Sequence, residues 1–199
     1  MRPLFVLALT VLAGGCSLLE PSAPSTAPSP TTPTPAAPAA ATPESAPAKA
    51  AKPPGDGWTD LGGGRFVRAS STLSSKNDLY VPAHLVDGDP KTTWVEGASG
   101  VGQGEWIEVD FGGQKSISEL TLINGVGGDL NAWKKSNRTT KATLTFSDGS
   151  TQVVDIKDFF LPQTTKFSPK QTSKVRVTFD EVSKGVEYND LCVSELYFK

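Results

Sequence analysis

The chain has 199 residues, a formal net charge of −2 and a pI near 5.5. That length suits one domain with a sizeable core, and the slightly acidic balance excludes the basic footprint that nucleic acid requires. It also gives no electrostatic attraction to an anionic membrane surface.

The first sixteen residues, MRPLFVLALTVLAGGC, hold one basic residue, an apolar run from Leu4 to Ala13 and small residues before Cys16. The run is too short to span a bilayer and ends at a processing site, which predicts a cleaved export signal over 1–15. Leu12-Ala13-Gly14-Gly15-Cys16 resembles the lipobox of bacterial lipoproteins, with leucine one position further from the cysteine than that family usually places it. The resemblance implies a lipidated Cys16, and several acyl chains on one cysteine anchor stably where a single chain would not. Membrane attachment is then expected through lipid only. Ser17 after the cysteine is, by resemblance to Gram-negative lipoproteins, compatible with sorting to the outer membrane of the bacterial cell envelope.

Lipid on Cys16 leaves Cys192 no partner for an intramolecular disulfide, since the chain has only these two cysteines. In the apolar stretch Leu191 to Val193, Cys192 reads as a small buried hydrophobe. Residues 16–56 form the next segment. Between Ser17 and Pro54 lie eleven of the sixteen prolines and no aromatic residue. Such a composition cannot bury a core, which predicts a disordered, extended spacer.

From Gly57 the composition changes: all four tryptophans and all three tyrosines follow. One domain is expected over 57–199. Its early landmark is Tyr80 to Trp94, YVPAHLVDGDPKTTW. A short helical turn is predicted near Pro82 to Val86. Asp87-Gly88-Asp89-Pro90 makes a tight turn, because Gly88 permits positive φ, Pro90 forces an extended Asp89 and aspartates favour local turns. The carboxylates of Asp87 and Asp89, the Thr92 hydroxyl and turned-in carbonyls then lie close enough to share a hard cation such as Ca²⁺. The same residues also read as an acidic surface turn beside a buried Trp94. The sole histidine, His84, lacks the clustered Cys, His or carboxylate partners of a zinc site.

Beyond this loop strict alternation dominates. Ile107, Val109 and Phe111 share one face and Glu108 and Asp110 the other; Leu120 and Leu122 repeat the pattern before Asn124-Gly125. Ala142, Leu144 and Phe146 alternate with threonines and stop at the turn Ser147-Asp148-Gly149-Ser150. Val154 and Ile156 follow, then Val175, Val177 and Phe179, and Cys192, Ser194, Leu196 and Phe198 on the same period. Many short strands with turn-rich links predict an all-β fold, an antiparallel β-sandwich of jelly-roll type.

Several of these stretches in this order carry a resemblance: Ala69-Ser70-Ser71, then LVDGD with Thr92 and Trp94, then GEWIEVDF at 104–111, then Ser194-Glu195-Leu196. Together they resemble a discoidin, or coagulation factor 5/8 C-type, domain of the galactose-binding-like superfamily. WVEGASGVGQGEWIEV, LTLINGVG, WKKSNR and KGVEYNDLCVSEL bring the chain closer to the translocation or glycan-binding domain of bacterial NAD glycohydrolase toxins. The resemblance implies a galactose-binding-like sandwich with a structural Ca²⁺. By position its ligands would be the backbone oxygens of His84 and Asp89, the Asp87 side chain, Thr92, and Ser194 with Glu195. It reaches only the accessory domain of those toxins, so NAD cleavage is not implied.

Non-catalytic binding of a glycan or glycoconjugate is the expected function, with a protein-interaction or envelope-scaffold module, binding an envelope or host protein, as the competing one. No Gly-x-Ser-x-Gly elbow or phosphate-cradling glycine motif suggests an enzyme. Three loops, 96–105, 124–138 and 181–190, hold the chemistry that sugars need. Asn131, Trp133, Arg138, Tyr188 and Asp190 are the candidate ligand-binding residues, with Trp133 as the stacking ring. An equal alternative is that Trp133 covers the sandwich edge while Asn137-Arg138 pins its loop to Asp190.

Overall fold

The structure, a computed structural model, describes residues 57–199; the export signal, Cys16 and the proline-rich spacer lie outside the described residues. Eight strands follow one another as β1 (Thr59–Gly62), β2 (Arg65–Ala69), β3 (Trp94–Val95), β4 (Trp106–Asn124), β5 (Arg138–Phe146), β6 (Thr151–Asp155), β7 (Gln163–Ser183) and β8 (Cys192–Phe198). Every pairing between them is antiparallel. The predicted helical turn is present as a 3-10 segment, Pro82–Val86.

Two long strands make the sandwich by passing from one layer to the other. The first part of β4, Trp106–Asp110, lies between β2 and the second half of β7; after a register break its continuation, from Lys115, pairs with the first half of β7 and with β8. The front layer therefore runs β1-β2-β4-β7-β5-β6, and the back layer runs β3-β8-β4-β7. Gly112 occupies the break with φ of +75°, and a Cβ there would sit 2.3 Å from the Gly64 carbonyl oxygen. Only glycine serves at such a corner.

The alternating residues meet between the layers. Val67, Ile107, Leu144, Val175, Val177 and Phe179 from the front pack with Leu120, Leu122, Leu196 and Phe198 from the back, all buried. Trp94 is wholly buried among them, its ring 6.0 Å from that of Phe179 and its indole N–H donating to the Ser71 carbonyl at 3.1 Å. Cys192 is buried as expected, and burial pushes its thiol up to about 12.

One element was not legible from periodicity: helix α1, Leu130–Lys135. Its six residues are too few to show a helical period, and local capping makes it. The Asp129 carboxylate accepts from the Asn131 and Ala132 amides at 2.8 and 3.3 Å, and the Ser136 amide closes the other end on the Ala132 carbonyl.

Candidate functional site

The three loops expected to bind come together at one buried side chain. Asn137 is fully buried just before β5; its amide nitrogen donates to the carbonyls of Val101 at 3.2 Å and Asn189 at 2.6 Å, and its oxygen accepts from the Gly185 amide at 2.9 Å. Its backbone pairs with the Asp190 carbonyl and the Cys192 amide. One amide side chain thus fastens loops 96–105 and 181–190 to the end of α1. The amides of Val186 and Tyr188 reinforce this by donating to the carbonyls of Lys134 and Lys135.

Beside this hub opens a cleft of about 730 Å³, lined by Leu79, Tyr80, His84, Lys91, Tyr188 and Asp190 among others. Tyr188 is half exposed and offers a ring to the opening, with the Lys135 ammonium 5.8 Å from its centroid and itself paired to Glu187 at 2.8 Å. His84 turns its Nδ1 into a buried position without a hydrogen-bond partner. Asp190 and Lys91 supply a carboxylate and an ammonium. An aromatic face with a few polar groups suits a small polar ligand that also has an apolar side.

Tyr188 and Asp190, named from sequence, therefore share the cleft, whereas Asn131, Trp133 and Arg138 do not line it. Asn131 is exposed on α1. Trp133 covers the sandwich edge: its N–H donates to the Asn124 carbonyl at 2.7 Å and its ring meets Phe160 edge-on at 5.9 Å. Arg138 is 6% exposed and donates to both oxygens of Asp158, at 2.7 and 2.9 Å, and to the carbonyls of Ser136 and Trp133. Its guanidinium lies 4.3 Å from the Trp133 ring. Few of its donors remain for a ligand; Arg138 itself pairs with Asp158, and the expected link to Asp190 is made by the Asn137 backbone amide. The Arg138 hydrogen bonds, ahead of the opposing effect of burial, hold the Asp158 carboxyl below its ordinary range. Segment 73–80, which forms one wall of the cleft, carried no motif; its signal was the Asn77-Asp78 pair, where Asp78 adopts φ of 49°.

A second group of oxygens lies at the Asp87 turn. Asp87 accepts from the Asp89 amide at 2.9 Å and from the Thr92 hydroxyl at 2.8 Å, and that hydroxyl is 2.9 Å from the Asp89 carbonyl oxygen. Glu195 on β8 is 2% exposed; Tyr197 donates to one oxygen, while the other, Oε1, is buried without a partner. Burial and then the neighbouring Asp87 charge raise its pKa, against the Tyr197 hydrogen bond. An orphaned carboxylate oxygen beside a second carboxylate fits a hard cation, so Asp87, Asp89, Thr92 and Glu195 suit the expected ligand set.

The Ser194 hydroxyl does not face it. Adjacent strand residues point to opposite faces, and the Ser194 hydroxyl is buried against Thr93 Oγ1 and the Gly127 amide, both at 2.7 Å. His84 lines the cleft, and the contribution expected of it here is its backbone oxygen, not its imidazole. Among the described residues no three His, Cys, Asp or Glu side chains converge, so backbone carbonyls and Thr92 would complete the shell.

Residues 58–199 match the NAD glycohydrolase translocation F5/8 type C domain. The chain belongs to this family. Its translocation-domain fold is also seen in CpGH89CBM32-5 from Clostridium perfringens, in complex with GalNAc-β-1,3-galactose (TM-score 0.53, 19% identity, 67% of this chain and 94% of that one). The family 32 carbohydrate-binding module of C. perfringens NanJ, in complex with galactose, is similar at a TM-score of 0.51 and 17% identity, over 67% of this chain and 92% of that one. In sequence the chain is 28% identical over 162 residues to the alpha-(1->3)-arabinofuranosyltransferase of Mycobacterium tuberculosis, covering 75% of this chain and 11% of that enzyme. The translocation-type domain thus corresponds to about a tenth of that relative.

Proposed function

We propose that this chain is a non-catalytic glycan-binding module tethered to the bacterial envelope by lipid on Cys16. The observation that carries the binding reading is the half-exposed Tyr188 ring beside Asp190, in a cleft one wall of which, loop 181–190, Asn137 fastens to the end of α1. Tyr188 supplies the face on which the C–H side of a sugar ring packs, and Asp190, Lys91 and His84 supply partners for hydroxyls. The sugars bound by the two clostridial modules, galactose and GalNAc-β-1,3-galactose, are the first probes to use. We assign the oxygen cluster at Asp87 a structural Ca²⁺ joining the early turn to the last strand.

A glycan array with the full-length chain tests the binding reading. Tyr188→Ala is expected to weaken binding about tenfold or more, the loss of roughly 1.4 kcal/mol of contact. Trp133→Ala should act through melting temperature instead, because its ring serves the sandwich edge. Unchanged glycan binding in Tyr188→Ala would move the ligand out of the cleft. The tether has its own test. Cys16→Ser is expected to release the protein from the membrane fraction, and a variant that still sediments with membranes after a high-salt wash would refute lipid anchoring.

A further inference from the structure

On the outer side of the front layer, away from the cleft, Ile107 and Val109 turn inward, so Trp106 and Glu108 turn out. Arg68 on β2 and Arg176 on β7 stand directly across from Glu108 in register. Both guanidinium groups donate to Glu108 Oε2 at 2.8 Å, and the Lys174 ammonium is 3.1 Å from Oε1. Three cations thus share one carboxylate, which is buried beneath them, while the side chains of Arg176 and Lys174 remain 38% and 44% exposed. The nearby Asp110, in line with Lys174, accepts from the Gly112 amide at 2.8 Å. Trp106 lies against both guanidinium groups, 4.0 Å from Arg176 and 5.5 Å from Arg68, and Trp58 covers Arg68 at 4.5 Å.

We propose that this outer face is a second binding surface, for a glycan that bears carboxylate groups. The three cations exceed the carboxylates of Glu108 and Asp110 by one charge, and the guanidinium forks are already fixed by Glu108 and by the indoles. Arg176 uses only one of its N–H groups on Glu108, and the rest of its fork meets a carboxylate without first being ordered. The partly exposed indoles border the cations and give the apolar contact that a sugar ring takes. A bilayer suits the face less well: the exposed apolar residues Leu79, Leu130, Phe159, Leu161 and Val186 stand in loops and on α1, and Val153 stands on the far edge strand β6. A protein partner would seek an apolar centre, which a cluster of three cations does not provide.

Binding of polygalacturonate to the full-length chain, with the fully methyl-esterified polymer as an uncharged control, tests this. The acidic polymer should bind and the ester should not. Arg176→Gln should weaken binding about tenfold or more, as loss of a charge-assisted hydrogen bond implies. Lys174→Gln, whose side chain is more exposed and whose contact with Glu108 is longer, should weaken it severalfold with a smaller fall in melting temperature than Arg176→Gln, and binding measured well below both melting temperatures separates it from any folding defect. Salt raised from about 0.05 to about 0.5 M should weaken it further. Tyr188→Ala should leave it unchanged, and if that variant abolishes binding the polymer occupies the cleft and the second surface is refuted. Equal binding of the ester, equal binding of poly-glutamate or of phosphatidylglycerol vesicles, or no binding by wild type would each overturn the proposal.

Discussion

Asn137→Ala is expected to destabilise the domain by about 3 kcal/mol, a melting temperature lower by roughly 10 °C. The substitution removes two donors and one acceptor from a fully buried position and leaves the Val101 and Asn189 carbonyls and the Gly185 amide unpaired. Such orphaned groups cost more than the net value of the hydrogen bonds they lose. Glycan binding should fall with it even where the domain stays folded, because loop 181–190 then no longer holds Tyr188 at the cleft. Asn131→Ala, on the exposed side of α1, should stay within about 0.5 kcal/mol of wild type. Thermal melts of the two variants decide the matter. A wild-type melting temperature for Asn137→Ala would show that backbone pairing alone holds the loops.

Chelation is expected to have the next largest effect. If Asp87 and Glu195 share a Ca²⁺ with Thr92 and the Asp89 carbonyl, EDTA leaves the exposed Asp87 carboxylate beside the buried one of Glu195 without their counter-charge. Calcium at about a hundredfold above its dissociation constant stabilises the fold by roughly 2.7 kcal/mol, so EDTA should lower the melting temperature measurably. Asp87→Ala should abolish most of that calcium dependence and lower the calcium-loaded stability. Asp155→Ala, an exposed acid on β6, should respond to calcium as wild type does. Identical melting curves in calcium and EDTA, with no metal found in the purified protein, would make the Asp87 turn a metal-free one.

The aromatic and basic residues of 131–138 show where sequence reasoning stops. Trp133, Lys134, Lys135, Asn137 and Arg138 have the chemistry of a sugar site, and nothing local distinguishes a ring that binds from one that packs. The deciding contacts come from far along the chain: Phe160 against Trp133, Asp158 against Arg138, and Val101 and Asn189 on Asn137. Glu108 is a similar case. Alternation put it on the solvent side of β4, but only the register with β2 and β7 brought Arg68, Arg176 and Lys174 onto it. Its burial raises its pKa, and hydrogen bonds from those three cations outweigh the burial and bring it down to about 2.

What the sequence determined by itself is local. The period-two runs at 107–111, 142–146, 175–179 and 192–198 are strands because alternate side chains leave opposite faces of an extended chain. Asp87-Gly88-Asp89-Pro90 is a turn because Gly88 takes φ of +81° there and proline restricts the residue before it. The tertiary structure alone decided how those strands divide between two layers, since β4 and β7 change layer by pairing with different neighbours along their length. It likewise decided that segment 73–80 walls a cleft with Tyr188, that the Ser194 hydroxyl and the Glu195 carboxylate serve opposite faces of one strand, and that Asn137 joins three loops. Each of these depends on distances between residues tens of positions apart, which packing and strand register set and no local pattern records.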